Sequence, residues 1–72
     1  MENKEFSNWL LERMRTKGIS VQQLADELDV SPATVYRWRT GSRVPIPDSC
    51  EHLAKYFDAS SEELMRLTGW KK

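Results

Sequence analysis

The sequence predicts an all-α fold, a compact bundle of five short helices, on three observations. Apolar residues recur at steps of three and four rather than in alternation, which is the period of a helix with one buried face. The three glycines and three prolines fall between these periodic stretches, where chain breakers belong. Serines stand immediately before several of the stretches, in the position where a side-chain oxygen satisfies the free N–H groups of a helix start. With 72 residues, a single domain covering positions 1–72 is expected.

The first helix is expected over about Lys4 to Thr16, where Phe6, Trp9, Leu10 and Met14 share one face and Gly18 ends the run. The second runs from Val21 to Leu28. Ser20 caps it, Gln23 completes a capping box, and Leu24, Ala25 and Leu28 keep the core spacing. Asp29 and Val30 make a tight turn. The third helix is capped by Ser31, has Pro32 in the first helical position, where the missing N–H costs nothing, and runs to Thr40 before Gly41. Its buried residues are Val35 and Trp38. The segment Ser42 to Pro47 is too rich in proline for a helix and reads as a strut. A fourth helix over about Asp48 to Phe57 buries Cys50, Leu53, Ala54 and Phe57. A fifth opens at Ser60, with Glu63 forming another capping box, buries Leu64 and Leu67, and stops at Gly69.

Size and composition narrow the function. A chain this short buries only about 60% of the surface it exposes when unfolded, which leaves little room for a deep catalytic cleft. One cysteine (Cys50) and one histidine (His52) cannot build a disulfide or a zinc cage, so no cofactor, metal or catalytic residue is expected, and the protein does not read as an enzyme. Free thiol usage fits a reducing, cytoplasmic setting. No apolar run approaches the roughly 18 residues of a membrane span, and no small-molecule ligand site is apparent.

The third helix carries the functional signal. At its period, Val35 and Trp38 lie about 60° apart on the buried side, and Ala33, Tyr36, Arg37 and Thr40 lie opposite them, with Pro32 at the edge. From Ser31 to Arg43 there is no acidic residue, while Arg37, Arg39 and Arg43 are all basic. A face that served only solvation would carry Glu and Lys. Arginine beside small residues and one tyrosine suits a duplex groove, because Arg donates two bonds to guanine O6 and N7 and Ala meets a thymine methyl. The short link between helices two and three, with Ala25 at the crossing, fits a helix-turn-helix. An ordinary small bundle with a tight turn would share some of that spacing. The N–H groups around Val21 and Gln22 form a natural phosphate site, and Arg43 flanks the groove.

Net charge is zero and the isoelectric point about 6.6, which by themselves speak against nucleic acid. The distribution changes that reading. Residues 13–43 hold Arg13, Arg15, Lys17, Arg37, Arg39 and Arg43 against Asp26, Glu27 and Asp29, a local +3, whereas residues 1–12 stand at −2 and residues 44–72 at −1.

The segment from Lys17 to Pro45, with Gly18, Leu24, Ala25, Leu28, Val30, Ser31, Val35, Trp38, Gly41 and Pro45 in place, resembles the Cro/C1-type helix-turn-helix regulators, also called the xenobiotic-response-element type. The segment Asp58 to Trp70 resembles that family's fifth helix. The resemblance implies a lambda-repressor-like domain whose third helix reads the major groove of double-stranded DNA, typically as a homodimer on a two-fold symmetric operator. Carried over by position, Pro32, Ala33, Tyr36 and Arg37 read bases. Val21, Gln22, Thr34, Arg39, Thr40 and Arg43 are the expected backbone contacts. The chain departs from the family at three points: Val21 replaces a phosphate-binding Gln, Asp29 replaces a turn Gly, and Met14 and Arg39 replace an Arg–Glu pair. The last change leaves Arg39 free to reach phosphate. The expected function is therefore a small transcriptional regulator, a repressor whose bound operator excludes polymerase, with recruitment of polymerase from a differently placed site as the other mode. A helical module that turns the same face to a protein, in the manner of an antitoxin or adaptor, is the alternative.

Overall fold

Residues 4–70 are described by a computed structural model and form helices α1 (Lys4–Lys17), α2 (Val21–Leu28), α3 (Pro32–Thr40), α4 (Pro47–Tyr56) and α5 (Ser61–Thr68). All five expected helices are present. α1 runs one residue beyond the expected end. α4 is shifted by one residue at each end: Pro47 belongs to the helix rather than to the strut, because Pro at the first helical position gives up no hydrogen bond. Phe57, read as helical from its burial, is instead the C-cap.

Local signals set the other boundaries. Ser20 Oγ accepts the Gln23 N–H while Gln23 Oε1 accepts the Ser20 N–H, so the capping box at α2 is complete. Ser31 Oγ accepts the Thr34 N–H at the start of α3. At α5 the Ser60 half of the expected box forms, with Ser60 Oγ accepting the Glu63 N–H at 3.4 Å.

A core of Phe6, Leu10, Met14, Leu24, Ala25, Val35, Trp38, Cys50, Leu53, Phe57 and Leu64 joins all five helices, with Trp9, Leu28, Val30 and Leu67 packed at its margin. α1 packs against α3 and α5, α4 against α5, and α2 against α3. Trp9 stacks on Phe6 and meets Phe57 edge-on, so the aromatic cluster closes the α1–α4 side. α2 and α3 are thus held from behind, which leaves their forward edge to solvent.

Candidate nucleic-acid interface

The turn between α2 and α3 fixes how α3 is presented. α2 ends in a left-handed residue, Asp29 (φ 57°, ψ 45°), with the Val30 N–H donated to Ala25 O and the Asp29 N–H to Asp26 O. Aspartate tolerates this conformation better than most L-residues, so the turn forms without glycine. Only Asp29, Val30 and Ser31 separate the two helices, and fully buried Ala25 permits their close approach.

On α3, Val35 and Trp38 point into the core and the opposite face is open. Ala33, Arg37 and Thr40 are exposed, Pro32 and Thr34 are half-buried, and Tyr36 leaves 55% of its surface to solvent. The residues expected to read bases therefore share one side of one helix. No acid interrupts them.

The main-chain carbonyl of Arg37 gathers the next part of the site. It accepts from the Thr40 hydroxyl at 3.2 Å, the Ser42 hydroxyl at 3.4 Å and the Arg43 N–H at 3.2 Å. These bonds fold the strut back against α3, so Arg37 and Arg43 line the same groove, about 340 Å³, together with Thr34, Trp38, Ile46 and Ser49. The sequence reading set Arg43 beside the groove that Arg37 enters, without the Arg37 carbonyl bonds that join them. It missed Ile46 and Ser49 as walls of the groove, and the one available signal was Pro47, which starts α4 early enough to bring both alongside.

At α2 the Val21 side chain is buried, so Val21 can offer a phosphate only its N–H. Gln22 is exposed and donates its amide to Asp26 at 3.3 Å. Arg39 differs from a free surface arginine. It is half-buried, its Nε is shut off from solvent without a hydrogen-bond partner, and its guanidinium lies 5.9 Å from the Tyr36 ring centroid. Met14, across from it in the family's pairing, is buried in the core.

Behind the strut, Pro45 O accepts from Trp70 Nε1 at 2.6 Å and from the Cys50 thiol at 3.7 Å. Burial raises the Cys50 pKa, and the Thr68 hydroxyl bonded to it opposes that shift in part. Among the described residues no set of His, Cys, Asp and Glu is arranged to hold a metal ion, and no helix is long and apolar enough to cross a membrane.

Five helices, a tight α2–α3 turn and an exposed basic helix face define a helix-turn-helix DNA-binding domain. A helix-turn-helix family model matches residues 10–64, and the chain belongs to the Cro/C1-type family of DNA-binding transcription regulators. A curated relative, the HTH-type transcriptional activator BcrR of Enterococcus faecalis, is 32% identical over 59 residues, which are 81% of this chain. The match spans 29% of that activator's length. No solved structure gives a significant match.

Proposed function

We propose that this protein binds a specific double-stranded DNA site by placing α3 in the major groove, and that it acts as a homodimer on a two-fold symmetric operator. Pro32, Ala33, Tyr36 and Arg37 face the base edges. The N–H groups of Val21 and Gln22, with Thr34, Thr40 and Arg43, hold the flanking phosphates. The observation that carries this reading is the acid-free, exposed face of α3, with Arg43 tied back to the Arg37 carbonyl so that the two cations line one groove. The direction of regulation follows from where the operator lies relative to the promoter. Similarity to an activator favours the recruiting mode over the excluding one.

Selection of binding sites from random duplexes tests the reading. A two-fold symmetric motif is expected, and absence of any enriched sequence at low salt would favour a protein-binding face instead. In the selected site, Arg37→Ala should cost about 1–3 kcal/mol and relax one base position. Arg43→Ala should weaken all sequences alike and reduce the salt dependence by about one counterion.

A further inference from the structure

We infer that Arg39 is a positioning residue for Tyr36, holding the ring on the DNA side of α3 by lying across its face, rather than the phosphate contact that its charge alone suggests. The inference rests on the reading of Tyr36 as a base contact and adds the group that makes that contact selective.

Three observations carry it. The Arg39 guanidinium is 5.9 Å from the ring centroid, within the range of a cation–π contact, and the i, i+3 spacing on α3 keeps the two side chains on adjoining rows. Arg39 is half-buried with Nε desolvated and without a hydrogen bond. An arginine serving only as a mobile phosphate clamp would keep its donors in water, so a pose that leaves one unsatisfied needs a compensating contact. No carboxylate supplies that contact, since Arg39 forms no ion pair among the described residues and α3 contains no acid. The Tyr36 ring is the partner present.

Tyr36 in turn has little else to fix it. More than half of its surface is exposed and its hydroxyl makes no hydrogen bond among the described residues. A tyrosine on a helix chooses between two χ1 wells, which swing the phenol to different places along the groove. A planar guanidinium over one face selects one well before DNA arrives, and ordering done in advance is not charged to binding. Arginine at 39 puts a cation within reach of the ring.

The test compares Tyr36→Ala, Arg39→Gln, Arg39→Lys and the Tyr36→Ala/Arg39→Gln double variant on duplexes varied one base at a time, over a series of salt concentrations. Tyr36→Ala identifies the base position that Tyr36 reads. Arg39→Gln should lose about two- to fivefold in preference at that same position, the range of an exposed cation–π contact. Its salt slope should stay at the wild-type value. The double variant should be no worse than Tyr36→Ala, and Arg39→Lys, which keeps a cation within reach of the ring but not the planar guanidinium, should retain part of the preference that Arg39→Gln loses. In the free protein, NMR couplings should report one Tyr36 χ1 rotamer for wild type and averaged rotamers for Arg39→Gln, with the fold unchanged by circular dichroism. An equal loss on every sequence with a salt slope lower by about one would make Arg39 a phosphate contact and overturn the inference. Strictly additive losses in the double variant would do the same. If Tyr36→Ala shifts a base preference and Arg39→Gln does not, the inference alone fails. If Tyr36→Ala shifts none, the base-reading role of Tyr36 fails and takes the inference with it.

Discussion

Replacing Trp70 by phenylalanine isolates one bond that spans 25 residues. The indole N–H donates to Pro45 O at 2.6 Å and ties the end of α5 to the strut bearing Arg43. A net hydrogen bond is worth about 0.5–1.5 kcal/mol. The lower half of that range applies, because the carbonyl keeps the Cys50 thiol as a weak donor at 3.7 Å. The ring itself is 47% exposed. A tryptophan buries about 150–250 Å² when fully enclosed, so roughly 100 Å² is removed from water here, worth about 2.5 kcal/mol at about 25 cal/mol per Å². Trp70→Phe should therefore cost about 1 kcal/mol and Trp70→Ala about 3 kcal/mol. For a domain of this size that corresponds to a fall in Tm of about 4–8 °C for the phenylalanine variant. Urea denaturation followed by far-ultraviolet circular dichroism measures both. Because Pro45 lies two residues from Arg43, the phenylalanine variant should also weaken DNA binding evenly across sequences, by less than Arg43→Ala. Wild-type stability in Trp70→Phe would refute the hydrogen-bond contribution, and equal losses in the two variants would refute the contribution of the ring.

Asp29 places a carboxylate at the negative end of α2, so Asp29→Asn, which retains tolerance of the left-handed conformation, should stabilise the fold by about 0.3–1 kcal/mol in urea titrations. A destabilised variant would show that the carboxylate has a favourable partner. Cys50 holds its proton in the folded state above the thiol's ordinary value near 9, since burial raises its pKa and the Thr68 bond only partly opposes the rise. Its contribution to stability is thus complete below that pH and is lost as pH climbs through the folded value. The alkaline fall in stability should be shallower in Cys50→Ala, and an identical slope would exclude the thiol as its source. Glu51 is exposed on α4 in a surface depression separate from the groove, so Glu51→Gln should raise DNA affinity in about 10 mM salt, where screening reaches about 30 Å, and leave it nearly unchanged at about 150 mM. An equal gain at both salts would place Glu51 against the DNA.

What could be read from the sequence follows the range of the interactions involved. The ends of α2 and α3 depend on Ser20 with Gln23, on Ser31 with Pro32, and on Gly41, all contacts within a few residues, and they lie where the sequence puts them. α4 was harder because its N-cap is Ile46, which has no capping side chain, and only the geometry of Pro47 marks its start. The orientation of α3 was legible because helical period alone separates Val35 and Trp38 from Tyr36 and Arg37. The pose of Arg39 was not, since its charge predicts water or phosphate while its half-buried position was set by packing. Trp70 offered even less, because its partner is a main-chain carbonyl 25 residues away and no side-chain pattern announces that bond.

A neutral chain can bind a polyanion if its charges are sorted in space by more than the screening length. The molecule measures 31 × 25 × 21 Å, and the Debye length at physiological salt is about 8 Å, so charges on opposite faces act almost independently. On the proposed docking, the face that meets DNA is the one carrying Arg37 and Arg43. Two or three cations there would give a small counterion-release term, and modest non-specific affinity is expected. Affinity for the correct site must then come from contacts that are strong because they are already in place. The Arg37 carbonyl that holds the strut and Arg43 is one such device, and the guanidinium over Tyr36 is another. A dimer doubles the number of these contacts without changing the sparse electrostatics of each half. Low charge and a preorganised reading face are therefore linked: with little bulk attraction to offset misplaced side chains, the domain gains more from fixing Tyr36 and Arg43 than from adding lysines around them.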